Sequence, residues 1–582
     1  MRRILAGVLT AAALTLTAVV LPQSAALAVD SGTLDVLTYN IAGLPEILSS
    51  AATDRESSTT AIGQRLGPYD IVNVQEDFNY HALLYAADSH PYRTPTSGGV
   101  PFGSGLNTLS SHYYDGDDFE RVTWDSCDSG SGDCLTPKGF TFMRVRLAEG
   151  VWVDVYNVHT DAGSEPGDLA ARAANLSQLT AFIQTRSAGN AVVVMGDTNT
   201  RYTRTGDTIA EFAATNGLTD AWVQLVRGGS APAKGSDALV CDSAAVTNDC
   251  EVVDKILYRG SRFVNLDATS YNNEHAKFLE DGTGLMLSDH YPLTAKLSWS
   301  TNPAYRFSDQ FGGPHGDYFN DVASVPWGAQ TTSISLRSGE RVDQVGVTLS
   351  NGTALTHGGT GGSAQSLTLG RTEYVTQAYL CRAKHNDHTR IFSARFTTSL
   401  GRSLSGGSTT SDCTTITAPA GWQIAGFHGR SGDDVDKLGF IFTPNDFELV
   451  NRATGKCLDV INWSTADGAD VRLWTCTGGN NQRWRIEPLA DGTSRIVNTH
   501  SDKTLDVLEC GTADGASIQQ YTWWNNACER WQAVDTDSGW FRLVNPNSGK
   551  VADVADCDSA DGTDVRLWTW LNNYCQQWSL RP

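Results

Sequence analysis

The last third of the chain repeats itself. Trp484, Trp531 and Trp578 stand 47 residues apart, and so do Asp459, Asp506 and Asp553. Asp467-Gly468, Asp514-Gly515 and Asp561-Gly562 keep the same 47-residue interval. A single unit of this kind, made of short β segments and turns, cannot bury its own apolar face, whereas three stacked units can. The register therefore predicts a closed, threefold β structure over 444–582.

Within that frame, Cys457-Leu458-Asp459-Val460, Val471-Arg472-Leu473-Trp474 and Asn481-Gln482-Arg483-Trp484 resemble a ricin B-type lectin repeat. The resemblance implies a β-trefoil with the Trp of each Gln-x-Trp in the core. A sugar site needs a carboxylate or amide fork for adjacent hydroxyls and an aromatic face for the apolar side of the ring. The first repeat offers Asp459, Trp474, Asn481 and Gln482. The second offers Asp506, Gln519 and Tyr521, but Cys528 stands at the Asn position, and Glu529-Arg530-Trp531 departs from the motif. The third offers Asp553 and Trp568, again with a Cys (Cys575) at the Asn position. The first repeat is the favoured binder.

Residues 300–443 are rich in Gly, Ser and Thr and read as β throughout. Gly312-Gly313-Pro314-His315-Gly316 and the stretch Gly426-Phe427-His428-Gly429-Arg430-Ser431-Gly432-Asp433-Asp434-Val435-Asp436 are similar to jacalin-related lectins. That resemblance implies a β-prism and places Gly432 and Asp436 on the family's Gly-x-x-x-Asp carbohydrate loop.

The N-terminus opens with Arg2-Arg3, an apolar run over 4–21 and Ala26-Leu27-Ala28, the pattern of a secretory signal peptide over 1–28. Export to an oxidising compartment suits the 12 cysteines. Their placement predicts six local disulfides: Cys127 with Cys134, Cys241 with Cys250, Cys381 with Cys413, Cys457 with Cys476, Cys510 with Cys528 and Cys557 with Cys575. The net charge of −22 disfavours a broad basic face for duplex DNA, though not a small metal-dependent nuclease site.

Residues 29–299 alternate β-like runs (34–39, 71–75, 151–156, 191–195) with a helix marked by Leu169, Ala173, Leu176, Leu179 and Ile183 after Pro166. Polar residues sit where these strands end: Asn40, Glu76, Asn157, His159, Asp197 and Asn199, followed later by Asp254 and Asp289-His290. Strand ends present side chains to a cleft, so this set can converge.

Tyr39-Asn40, Gln75-Glu76, Asn157-Val158-His159, Gly196-Asp197-Thr198-Asn199, Asp254 and Ser288-Asp289-His290 resemble the endonuclease/exonuclease/phosphatase superfamily. The resemblance implies a four-layer α/β sandwich and metal-assisted cleavage of phosphate esters. It assigns Glu76, Asn40 and Asp289 to a divalent cation, Mg²⁺ first, with Mn²⁺ or Ca²⁺ as alternatives. Asp197 and Asn199 would position the attacking water, His290 oriented by Asp254 would move a proton, and His159 would donate to phosphate.

Lys138-Gly139-Phe140 and Ser288-Asp289-His290-Tyr291-Pro292 look more like the sphingomyelinase branch, with Lys138 a candidate phosphate contact. The absence of a long aromatic hairpin weighs against a lipid substrate. The reading is a secreted phosphodiesterase of sphingomyelinase or phospholipase C type that surface glycans recruit through two lectin domains. The alternatives are an extracellular DNase-like and toxin-like nuclease, an inositol-phosphate phosphomonoesterase, and a non-catalytic multivalent lectin.

Overall fold

The computed structural model describes residues 30–581 except 131, 327, 371, 490 and 537–539. The leader expected at 1–28 lies outside the described residues. The first region is a pair of six-stranded sheets packed face to face. One runs Val264–Asn273, Leu293–Thr301, Ser31–Asn40, Ile71–Gln75, Asn107–Ser110, Tyr92–Arg93. The other runs Glu120–Thr123, Gly139–Ala148, Val151–His159, Ala191–Asp197, Asp254–Arg259, Thr219–Asp220. Helices Arg55–Arg65 and His81–Ala87 cover the first sheet through Ile62, Leu66 and Leu84, and Pro166–Arg186 covers the second through Leu176, Leu179 and Ile183. The result is the expected four-layer α/β sandwich.

Central strands covered on both faces are near-continuous apolar runs, as in Ala191–Asp197, which is buried at every position. Three buried amides interrupt this apolar interior and join the two sheets. Asn73 Nδ2 donates to Tyr156 O (3.0 Å) and Met195 O (3.2 Å), and Gln75 Nε2 to Asn157 Oδ1 (2.8 Å). Asn157 Nδ2 in turn donates to Val74 O (3.0 Å) and Asn107 O (2.9 Å). Asn157 is therefore a bridge that fixes the sheets under the strand ends, and the chemistry falls two residues later at His159.

The second region folds as three antiparallel sheets, a β-prism, built around Arg306–Phe307 with Val435–Pro444 and Trp422–Ser431, around Thr331–Ser338 with Val342–Leu349, and around Val375–His385 with His388–Thr398. The third is a twelve-stranded β-trefoil. Trp484, Trp531 and Trp578 are fully buried there, their indole N–H groups donating to Leu458 O, Leu505 O and Ala552 O at 2.9–3.1 Å. The repeated Asp-Gly pairs also gain a role. Asp467 takes Thr522 N and Lys503, Asp514 takes Thr569 N and Lys550, and Asp561 takes Thr475 N and Lys456, every contact 2.6–2.7 Å. Each repeat thus clasps the next and the third closes on the first. Among the described residues, no helix is long and apolar enough to cross a membrane.

All six expected disulfides form: Cys127 with Cys134, Cys241 with Cys250, Cys381 with Cys413, Cys457 with Cys476, Cys510 with Cys528 and Cys557 with Cys575. One of them corrects the expectation that every bridge is a local staple. Cys381 and Cys413 are 32 residues apart and sit directly opposite each other on neighbouring strands, Val375–His385 and Asp412–Thr417. Cys241 and Cys250, 9 residues apart, do close a loop. Cys250 Sγ lies 3.1 Å from Thr247 O and Cys413 Sγ 3.1 Å from Thr410 O. Bridged sulfurs carry no proton, so neither contact is a hydrogen bond.

The trefoil has its own core, but the sandwich and prism share one that runs from Leu34 to Phe442. Phe263 stacks on Phe307 at 4.3 Å across their junction. Polar contacts reinforce the seam: Asp309 receives Arg146 Nη2 (2.7 Å) and Trp152 Nε1 (3.0 Å). Lys437 of the prism, almost fully buried, sits 2.6 Å from Asp115 and 2.8 Å from Asp118 of the sandwich. Burial works against the Asp118 charge, but Lys437 and Arg430 outweigh it and hold its carboxyl below the ordinary 3.8. That contribution is present above pH 3.8 and is lost as pH falls through the depressed value. Lys437→Ala leaves Asp118 buried beside a weaker partner and is expected to cost about 3 kcal/mol. Chemical denaturation should show the sandwich–prism transition shifted, and an unchanged midpoint would contradict this role.

Candidate active site

The strand ends of both sheets meet at one carboxylate. Asp197, at the end of Ala191–Asp197, accepts Asn40 Nδ2 (3.2 Å) and Asn199 N (3.0 Å). His159 Nε2 lies 3.5 Å and His290 Nε2 3.7 Å from Asp197 Oδ2. His290 Nδ1 is held by Asp254 Oδ2 at 3.0 Å. Asn40 also donates to Glu76 Oε1 at 3.1 Å, which ties the first sheet's two strand ends to the second sheet. Glu76 has a positive φ of 57°, unusual for a side chain of this kind. The backbone around it closes tightly: a Cβ on Gly43 would sit 2.3 Å from Glu76 O, and one on Gly105 2.9 Å from Glu76 Cα. Two glycines thus let neighbouring loops hold the carboxylate in place.

The two histidines are driven to different protonation states. Burial, aided by Lys138, lowers His159 to about 3, so it is a neutral imidazole at pH 7. Burial also opposes charge on His290, but Asp254 and Asp197 outweigh it and hold it well above 6.5, so it is an imidazolium. Burial raises Asp254 and Glu76, whereas for Asp197 the nearby His290, His159 and Lys138 overcome burial and lower it.

The expected metal ligands are placed unequally. Asn40 Oδ1 accepts Ala42 N (3.1 Å), while its Nδ2 donates to Glu76 and Asp197. Asp289 is exposed and takes a long bond, 3.4 Å, from Ser288 Oγ. Oxygen atoms of Asp197 and Asp254 do lie within 4.8 Å of a His290 nitrogen, but both ring nitrogens of that histidine face carboxylates. Glu76 fits a hard cation best: it is an oxygen donor whose charge burial disfavours and whose hydrogen bond from Asn40 does not restore it.

Lys138 pairs with Asp133 and donates to Thr160 O (3.4 Å), the carbonyl that also receives Asn199 Nδ2 (3.2 Å). A cavity of about 450 Å³ opens beside the cluster at Lys138, not over Asp197, lined by Trp124, Asp133, Leu135, Asp161, Pro101 and Phe102 among others. Phe102 is 86% and Leu135 72% exposed. Neither was legible as functional in the sequence, because nothing in the short loops that carry them marks either side chain as lining a cavity.

In the trefoil, Asp459 Oδ2 accepts Asn481 Nδ2 (2.9 Å) and Gln482 Nε2 (2.8 Å), and Trp474 is exposed beyond them. Gln482 is buried, and its amide also binds Thr475 O and Thr477 N, so it positions Asp459 and does not face a sugar. A Cβ on Gly479 would sit 2.8 Å from both the Trp463 ring and Asn481 Oδ1. Trp463, 52% exposed, is thus a second aromatic face beside that amide. In the second repeat Asp506 Oδ2 accepts Gln519 Nε2 (2.8 Å), near an exposed Tyr521. In the third, Arg566 lies 3.6 Å from Asp553 and 4.3 Å over the Trp568 ring, covering both groups.

In the prism loop, Asp436 is fully buried in Val435–Pro444 beside Arg390, which closes it from solvent. The Gly-x-x-x-Asp spacing also occurs at Gly429–Asp433, and there Asp433 is exposed. Gly432 belongs to this second reading as the exposed residue before Asp433.

The Endonuclease/Exonuclease/phosphatase family 2 model matches residues 46–245, the Jacalin-like lectin domain model 308–441, and the Ricin-type beta-trefoil lectin domain-like model 439–521, 509–568 and 527–582. A sphingomyelinase of Mycobacterium tuberculosis (strain ATCC 25618 / H37Rv) is 45% identical over 269 residues, which are 45% of this chain and 52% of that protein. The chain therefore spans about half the length of the curated sphingomyelinases it matches. Horcolin of Hordeum vulgare is 30% identical over 138 residues, 23% of this chain and 93% of that one. Among solved structures, sphingomyelinase C from Streptomyces griseocarneus is 21% identical, covering 46% of this chain and 99% of its own, with a TM-score of 0.33.

Proposed function

For a chain that carries an endonuclease/exonuclease/phosphatase domain of the sphingomyelinase-like branch, a jacalin-like lectin domain and a ricin-type β-trefoil lectin domain, we propose secreted, metal-dependent hydrolysis of a phospholipid phosphodiester, sphingomyelin first, on glycan-bearing surfaces. The observation that carries it is the Asp197 carboxylate, with Asn40, His159 and His290 all within 3.7 Å of one oxygen. The neighbouring cavity, rimmed by exposed Phe102 and Leu135, supports a substrate with an apolar body over a nucleic acid. So does the overall charge of −22.

Asp197, fixed by Asn199 N and Asn40, orients the attacking water and draws its proton. His290 is held by Asp254 as an imidazolium and supplies a proton to the departing oxygen. His159, neutral and buried, donates Nε2–H toward the same oxyanion region, and Lys138 lies at the cavity wall where a headgroup phosphate would enter. A divalent cation at Glu76, Mg²⁺ first, would stabilise charge on the phosphoryl oxygens. The disulfides support an extracellular site of action.

The test is turnover of sphingomyelin, phosphatidylcholine, plasmid DNA and a simple phosphomonoester, each with Mg²⁺ and with chelator. Release of phosphocholine from sphingomyelin, abolished by chelator, is expected. Plasmid nicking without lipid cleavage would reverse the assignment. Recruitment is a separate prediction: Asp459→Ala should weaken binding to its glycan on an array about tenfold or more, since Asn481 and Gln482 both converge on that oxygen. Binding unchanged by Asp459→Ala would move the sugar site elsewhere.

A further inference from the structure

Three carboxylates that the reaction does not use lie under the cavity floor. Asp133, Asp161 and Asp168 are all buried, and one oxygen from each lies within 4.8 Å of the others. Each spends an oxygen on the loop backbone: Asp161 Oδ2 accepts Asp128 N (2.7 Å), Asp168 Oδ2 accepts Glu165 N (2.9 Å) and Asp133 Oδ2 accepts Ala162 N (3.0 Å). The remaining oxygens differ. Asp133 Oδ1 pairs with Lys138, while Asp161 Oδ1 and Asp168 Oδ1 are buried with no hydrogen-bond partner among the described residues, each residue being 1% exposed.

The neighbouring guanidinium does not balance this charge. Arg172 directs Nε and Nη2 to Asp207 (2.9 and 2.8 Å) and Nη1 to the carbonyls of Asp161, Ala162 and Gly163. It shapes the loop around the trio without donating to Asp161 Oδ1 or Asp168 Oδ1. Gly163 (φ 79°) lies so close that a Cβ would sit 2.1 Å from Asp168 Oδ2, so the loop wraps the carboxylates directly. Asp161 Oδ1 and Asp168 Oδ1 are thus buried carboxylate oxygens without a hydrogen-bond donor among the described residues, and such oxygens are the ligands a hard cation takes. Asp133 and Asp161 also line the cavity, which gives such an ion an entry path.

We propose that Asp133, Asp161 and Asp168 form a second cation site, separate from Glu76, that takes Ca²⁺ and staples the Cys127–Cys134 loop to the start of helix Pro166–Arg186. Ca²⁺ suits it better than Mg²⁺, because the donors come from two irregular loops and a helix and Mg²⁺ demands near-ideal octahedral geometry with retained waters. The consequence is structural: the bound ion would hold the wall of the cavity that carries Leu135 and Lys138.

The experiment uses the full chain with Glu76→Gln, which removes the carboxylate expected to hold the catalytic cation. Terbium is the probe, excited through Trp124, which lines the same cavity. Sensitised emission should appear and be displaced by Ca²⁺, and Ca²⁺ at about a hundredfold over its Kd should raise the melting temperature by roughly 5 °C. Adding Asp161→Asn keeps a carbonyl oxygen for Asp128 N but removes the charge. It should weaken terbium binding roughly tenfold or more and raise the melting temperature measured in chelator. A purely structural acidic cluster would instead lose stability on this change. If Asp161→Asn with Asp168→Asn does not fold, the single variant decides. Emission undiminished in Asp161→Asn, or absent from the Glu76→Gln chain, overturns the site. Failure of sphingomyelin turnover would leave both readouts intact, so the two proposals fail independently.

Discussion

Asp197→Ala is expected to lower turnover of the phosphodiester substrate by about a thousandfold or more while leaving the fold in place. The size follows from position. Asp197 touches both histidines, Asn40 and Asn199 N, so its loss removes the water's acceptor and one of the two carboxylates that face His290 together. Folding should survive, because the change removes a buried charge and leaves the inter-sheet amides of Asn73, Gln75 and Asn157 untouched. Substrate affinity should change far less than turnover, since no part of the cavity wall is altered. The check is kcat and KM beside a circular dichroism spectrum. Turnover within tenfold of the native value would remove Asp197 from the reaction.

Trp531→Ala is expected to cost the trefoil about 3–5 kcal/mol and to melt it as a separate calorimetric transition. The indole is fully buried, and its N–H is the partner of Leu505 O, so truncation leaves a cavity and an orphaned carbonyl together. Threefold closure spreads the damage, because Asp514 and Lys503 of this repeat also serve the clasps on either side. The sandwich and prism draw on a different core, so phosphodiester turnover in solution should be unchanged. A loss of turnover equal to the loss of trefoil structure would mean that the two cores are coupled.

Periodicity and strand-end chemistry were the legible parts. A 47-residue register predicts a closed threefold β structure before any contact is known, and the polar residues closing apolar runs mark Glu76, His159 and Asp197 as candidates because a two-sided sheet leaves few other places for them. Orientation was not legible. Asn40 reads as a ligand beside Glu76, and only the structure shows its Nδ2 donating to Glu76 and Asp197 while Oδ1 accepts Ala42 N. Gly-x-x-x-Asp fits the prism loop in two registers three residues apart, and strand pleat decides which Asp is buried. Pairings over long separation were invisible for another reason: Lys437 and Asp118 are 319 residues apart, and nothing local marks either as a partner. The same holds for Asp133, 28 or more residues from Asp161 and Asp168. The placement of Cys381 and Cys413 predicts their pairing, and only the strand register shows that they bridge a sheet and not a loop.

The continuous core from Leu34 to Phe442 changes how recruitment by sugars would work. A catalytic head on a floppy tether searches a hemisphere, and its gain is set by tether statistics. Here the stacked Phe263 and Phe307 and the buried Lys437 weld the prism to the sandwich, so the exposed Asp433 loop and the Asp197 cleft travel together at one fixed offset. Such a device works like a caliper. On the proposed function, a glycan whose head stands at the matching height above a bilayer would hold the Asp197 site against the lipid, and one too short or too tall would hold it away.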